Sequence, residues 1–140
     1  MQKILLVEDD PFLSSLLKNR LQKEGFEVLH ARDGEEAITL LQTNQVQLVL
    51  LDIILPKRSG FEVMEDIRID GQIKDKNPNL PIIVISNLGQ PEDIEKGREL
   101  GAIEYFVKAK TSIDDLVGRV RDFVMGTAPQ SAQDASVTKV

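Results

Sequence analysis

Three carboxylates, Glu8, Asp9 and Asp52, stand where carboxylates have no ordinary reason to be. Asp52 interrupts the apolar run "VLLDIILP", and Glu8 and Asp9 follow directly on "ILLV". An ionised carboxylate gains nothing from apolar neighbours, and burying it unpaired is expensive. Drawn together, the three would repel one another, so such a cluster calls for a cation. All-oxygen ligands select a hard one, and few carboxylates with room for water suit Mg2+ better than a calcium cage. Ser86 closes the run "IIVIS" and Lys108 follows "EYFV". A metal and an ammonium neutralise phosphoryl oxygens, a hydroxyl donates a hydrogen bond to one, and a carboxylate beside them can act as nucleophile and form an aspartyl-phosphate. Ser86 or Lys108 alone would mean little. Their weight depends on all five groups falling on one edge of one sheet.

The elements that must place them there are legible. Short apolar runs at 4–7, 27–31, 48–53, 82–86 and 104–107 alternate with helical patterns. Phe12, Leu13, Leu16, Leu17 and Leu21 recur at helical spacing, as do Ala37, Ile38 and Leu41, then Phe61, Met64 and Ile67. Asp10 is a candidate N-cap with Pro11 at the first helical position, and Ser112 with Asp115 comes close to a capping box for a last helix striped by Ile113, Leu116, Val117, Val120 and Val124. Strand and helix alternating five times predict a parallel sheet covered by helices on both faces. The first, third and fourth runs are apolar enough to be buried on both sides, whereas Glu27, His30 and Glu104 mark the second and fifth as edges. That fits an α/β, flavodoxin-like, doubly wound sheet of order 2-1-3-4-5, whose switch point between strands 1 and 3 is where Glu8, Asp9 and Asp52 meet.

Composition excludes other classes. At 140 residues, the chain suits one domain, and a net charge of −6 argues against a nucleic-acid surface, which needs clustered Lys and Arg. Without cysteine there is neither a disulfide framework nor a Cys-based zinc site. "MQKILLVEDD" turns acidic after four apolar residues, too soon for a signal peptide or membrane span, so the expectation is cytoplasmic. After Val124 the apolar period stops, and 125–140 reads as a disordered tail or linker following a domain at 1–124.

"ILLVEDDP", "LVLLDIILPKRSG", "IIVISN" and "GAIEYFVK", with their spacing, resemble the receiver domain of response regulators, the phosphoacceptor half of two-component signalling, from Met1 to about Val124. As given, the chain resembles the single-domain regulators that act by protein contact. The resemblance implies Asp52 as phosphoacceptor. It implies Mg2+ held by Asp9 and Asp52, with the backbone carbonyl of Ile54 as third protein ligand and Glu8 acting through water. It also implies Ser86 as switch hydroxyl, Lys108 as the family's lysine and Tyr105 as aromatic switch, while Pro56 and Gly60 match the loop after the acceptor. Phosphate on Asp52 is then expected to draw Ser86 inward and let Tyr105 turn in, reshaping the face of the fourth helix, fifth strand and last helix. The implied donors are a sensor histidine kinase's phosphohistidine or a phosphotransfer protein. The implied output is a downstream protein target or a phosphorylation-dependent homodimer, with no direct nucleic-acid or membrane binding.

Three departures from the family pattern stand out. Ala109 replaces the usual proline after the lysine, Asn87 replaces a small residue, and "IRIDGQIKDKNPNLP" is a longer link than usual. A non-proline cis bond costs about 3 kcal/mol, so Lys108–Ala109 is expected to be trans although receivers usually hold it cis. His30 reads as a surface side chain rather than a ligand. The helix near 91–100 is weakly apolar and carries Gly97 inside it, as a poor surface helix or a movable one would. Two rival functions are weighed. A Mg2+-dependent phosphatase of the haloacid-dehalogenase type would want a second Asp two residues after the nucleophile, where Ile54 stands. A flavin carrier would find its phosphate repelled by the acidic switch point.

Overall fold

The structure, a computed structural model, describes residues 1–126. Its strands are β1 (Lys3–Val7), β2 (Glu27–Ala31), β3 (Leu48–Leu51), β4 (Ile82–Ser86) and β5 (Ala102–Val107). All neighbours pair in parallel in the order β2-β1-β3-β4-β5, as expected. The helices are α1 (Pro11–Lys23), α2 (Gly34–Thr43), α3 (Gly60–Ile69), α4 (Gly71–Lys76), α5 (Pro91–Glu99) and α6 (Ile113–Met125). The helices expected fourth and fifth are therefore α5 and α6.

Alternation along the central strands divides the core in two. Ile4, Leu6, Leu48, Leu50, Ile83 and Ile85 face Leu17 and Leu21 of α1 and Leu116, Val117 and Val120 of α6. Leu5, Val7, Val49, Leu51, Ile82 and Val84 face α2, α3 and α4 through residues such as Leu41, Met64 and Ile73. Strands buried on both faces have no solvent side, which is why these runs show no polar alternation. Local signals start the helices. The Asp10 side chain accepts from the N–H groups of Phe12 and Leu13, with Pro11 preset behind it. Ser112 caps α6 by accepting from Asp115 N–H at 3.0 Å, and Ser59 with Glu62 forms a full capping box for α3.

The element that sequence reading missed is α4, inside the long link. Six residues with one buried apolar side chain, Ile73, carry too little periodicity to announce a helix. Tertiary contacts make it. Asp70 ends α3 and caps α4, and its side chain accepts from Gln42 of α2. Behind it, buried Asn77 accepts from Val46 N–H at 2.8 Å and donates to the carbonyls of Leu41 at 3.0 Å and Asn44 at 2.9 Å. β3 is also shorter than the apolar run at 48–53: Asp52 and Ile53 lie beyond Leu51, although Asp52 N–H still donates to Val7 O at 3.0 Å. α6 continues to Met125 with Gly126 as a left-handed C-cap. The rest of the expected tail, 127–140, lies outside the described residues. Among the described residues, no helix is long and apolar enough to cross a membrane.

Replacing Asn77 by Ala strands one buried N–H and two carbonyls. Asn77→Ala is expected to lower unfolding free energy by about 3 kcal/mol in urea titrations; a loss below about 1 kcal/mol would show that water replaces the amide.

Candidate functional site

Four of the groups singled out at the strand ends, Glu8, Asp9, Asp52 and Lys108, converge at one place. Glu8, first after β1, is fully buried, and its N–H donates to Ala31 O at the end of β2. Asp52, first after β3, is 3% exposed. Asp9 is exposed, and an oxygen from each of the three carboxylates lies within 4.8 Å of the others. Lys108 follows β5 and crosses two strands' width to place Nζ 2.8 Å from Asp52 Oδ2 and 3.1 Å from Glu8 Oε1. Ile54 sits in the loop after the acidic strand end, its N–H donating to Asp52 Oδ1 at 3.2 Å and its side chain exposed.

Close backbone approach holds that loop in place. A Cβ on Gly60 would sit 2.3 Å from Asp52 O, and the Gly60 N–H donates to Ile53 O at 2.8 Å, so α3 starts hard against the acidic residue. A Cβ on Gly34 would sit 2.3 Å from Arg58 O, so the start of α2 presses on the same loop. Pro56 O accepts from Gly34 N–H at 3.3 Å, and Lys57 takes a left-handed φ of 70° there. Gly34 was not foreseen, although "DG" ahead of a helical pattern marks a cap.

The opposite rim carries two hydroxyls. Ser86, fully buried, accepts the Leu88 N–H at 3.2 Å, and Tyr105 donates its phenol to Leu88 O at 2.6 Å. The Ser86 and Tyr105 hydroxyls thus meet the two backbone groups of one residue, Leu88. His30 departs from expectation. It is half-buried, and its Nε2–H donates to Glu8 O at 2.8 Å, a carbonyl being able only to accept. The parallel register that sets His30 beside Leu6 was the signal for it. Asn87 is exposed. No peptide bond among the described residues is cis, so Lys108–Ala109 is trans as expected, inside a short 3-10 turn at Lys108–Lys110.

Negative charge exceeds positive where Glu8, Asp9 and Asp52 meet Lys108. Burial, then the Asp52 charge, pushes the Glu8 carboxyl up to about 7, against hydrogen bonds from Asp10 N–H and Lys108. Burial pulls the Lys108 ammonium down, but the Asp52 hydrogen bond and charge, followed by those of Glu8, hold it above its ordinary value. Glu8 Oε1 is buried, and beyond the Lys108 ammonium at 3.1 Å, which Asp52 shares, it has no hydrogen-bond partner. A buried carboxylate oxygen sharing one ammonium while facing two further carboxylates fits a hard divalent cation.

The profile of the response regulator receiver domain family matches residues 4–121. Transcriptional regulatory protein CpxR of Klebsiella pneumoniae is 42% identical over 121 residues, 86% of this chain and 48% of that protein. Transcriptional regulatory protein YcbL of Bacillus subtilis, itself uncharacterized, is 38% identical over 136 residues, 97% of this chain and 57% of its own length. The chain thus spans about half the length of the curated relatives it matches. Among solved structures, the Francisella response regulator 1452 receiver domain superposes with a TM-score of 0.79 at 28% identity, covering 91% of this chain and 99% of that one. Response regulator TrrA of Thermotoga maritima, in complex with Mg2+ and beryllofluoride, gives 0.72 at 34% identity over 87% of this chain and 98% of its own.

The raised Glu8 carboxyl has a signed consequence for the metal-free protein. Between about 4.5 and about 7 the folded chain holds a proton that the unfolded chain has released, so folding stability falls as pH rises through that window. Glu8→Gln is expected to gain on the wild type over the same window and run parallel above it, by at most roughly 3 kcal/mol. Urea unfolding from pH 5 to 8 in EDTA checks this; a constant difference across the range would contradict it.

Proposed function

The chain belongs to the response regulator receiver domain family of two-component signalling, and on that premise we propose that Asp52 accepts a phosphoryl group in a Mg2+-dependent reaction. One observation carries the reading: a carboxylate 3% exposed is held at 2.8 Å by an ammonium that it must share with a second, fully buried carboxylate, 3.1 Å from that ammonium. Asp9 and Asp52 are the side chains to hold Mg2+, with the Ile54 carbonyl as third ligand and Glu8 through water. The ion supplies positive charge to the phosphoryl oxygens. That the Thermotoga relative is seen in complex with Mg2+ and beryllofluoride supports a Mg2+ site in this chain.

Asp52 attacks phosphorus in line. Its oxygen forms the new P–O bond as the donor's P–N bond breaks, and the electron pair returns to the donor's imidazole nitrogen. Little covalent work falls to the protein, so positioning and charge dominate. Lys108, already aimed at Asp52 Oδ2, is placed to neutralise a phosphoryl oxygen, and Ser86 to donate its O–H to another. The donor is a sensor kinase's phosphohistidine or a phosphotransfer protein, in the cytoplasm. The face of α5, β5 and α6 addresses a downstream protein or a second copy of the chain. The longer relatives are transcriptional regulators. We assign no DNA contact to residues 1–126, whose acidic balance suits none.

The phosphatase reading lacks its general acid. Ile54 stands there, its side chain exposed and unable to give a proton.

Acetyl phosphate with Mg2+ is expected to add one phosphoryl group to the wild type by intact mass, and none to Asp52→Asn or in EDTA. Continuous phosphate release at a constant rate, or equal labelling of Asp52→Asn, would overturn the assignment. Lys108→Ala is expected to label more slowly by an order of magnitude or more, since it removes the ammonium held on the nucleophile; unchanged rates would strip that residue of its role.

A further inference from the structure

Gly97 sits in the middle of α5 and is buried, the only buried residue of that helix. Glycine there costs helix stability. The structure shows what occupies the space: a Cβ at 97 would lie 2.8 Å from Tyr105 Cδ2 and 3.0 Å from Cε2. Separations that short are essentially absent from folded proteins, so either ring or helix would have to move. The ring is not free to give way. Its hydroxyl is tied to Leu88 O at 2.6 Å, and the Leu88 N–H is itself bound to Ser86 Oγ at 3.2 Å. Ser86 and Tyr105 are thus joined through Leu88, and the Ser86 hydroxyl also hydrogen-bonds the Tyr105 phenol.

We propose that Gly97 is a positioning residue that seats the Tyr105 ring against α5, a seat built wholly from the chain's own groups and requiring none on Asp52. The seat stands on this contact alone; its meaning for output rests on reading Asp52 as phosphoacceptor. Burial and the Asp93 charge, against a hydrogen bond from Ser86, hold the Tyr105 phenol above its ordinary value, in keeping with a half-buried ring packed on the helix.

The chain has one tyrosine and no tryptophan, so its intrinsic fluorescence reports on Tyr105 alone. In acrylamide quenching without phosphodonor, the wild type is expected to be protected relative to the urea-unfolded chain, and beryllofluoride with Mg2+ is expected to change that little. Gly97→Ala is expected to lose protection and regain it with beryllofluoride. A wild-type ring quenched as freely as the unfolded chain's until beryllofluoride is added, or a Gly97→Ala variant protected like the wild type, overturns the seat. Should Gly97→Ala fold poorly, a thermal cycle decides. Gly97→Ala is expected to lower the unfolding midpoint with Tyr105 present and not in the Tyr105→Leu background; equal losses in both backgrounds would reject the contact. If acetyl phosphate fails to label Asp52 and beryllofluoride moves neither protein, the phosphoacceptor reading falls, while protection of the wild type and its loss in Gly97→Ala still decide the seat.

Discussion

Everything in this molecule depends on keeping Glu8 and Asp52 buried beside a single ammonium. At the roughly 5 Å that separates such groups, two like charges repel by about 3–4 kcal/mol even at an effective dielectric near 20. Lys108 offsets part of this and leaves an excess of negative charge with Asp9 at the rim. A fold can carry such a deficit only if the surrounding structure is over-determined. Here it is: β1 and β3 are the second and third strands of five, covered on both faces, and Leu5, Leu6, Val7, Leu50 and Leu51 are fully buried. The site's affinity for a cation and the cost of its charge are the same quantity seen from two sides.

The division of labour across the sheet follows from this. The acidic groups come from the two interior strands, where position is fixed by neighbours on both sides. Lys108, Ser86 and Tyr105 come from β4 and β5, the second of which is an edge covered by the weakly apolar α5. A group held rigidly is suited to attack, and groups near a lightly packed edge are suited to report the result. The glycines serve this geometry in different ways. Gly34 and Gly60 let helices press the loop against Asp52, whereas Gly97 lets an aromatic ring lie against a helix.

The order of the sheet, both edges, the caps at Asp10 and Ser112, and the meeting of Glu8, Asp9, Asp52 and Lys108 were legible because each is written locally or follows from βα alternation. What escaped was fixed by distant contacts. α4 exists because Asp70, Ile73 and Asn77 find partners in α2 and the loop before β3. His30 looks like an edge histidine until the register sets it beside Leu6 and its ring reaches Glu8 O. Gly97 reads as a weak point in a helix until Tyr105, eight positions later, supplies the reason. None of these depends on periodicity, which is what sequence reading measures.

The replacement of proline by Ala109 shows which parts of the site are coupled and which are not. If the peptide after Lys108 steered the lysine, a trans bond there would be expected to displace it from Asp52. It does not, because the parallel register sets Val107 beside Ser86 and delivers the next residue at the same edge as the hydroxyl. The consequence of the trans peptide is taken up beyond the lysine, where Lys108–Lys110 forms a tight turn and Thr111 Oγ1 donates back to Val107 O at 3.0 Å. α6 then begins on its own cap at Ser112. The aim of Lys108 is therefore a property of the sheet, and the loop after it is free to vary in sequence so long as it closes onto α6.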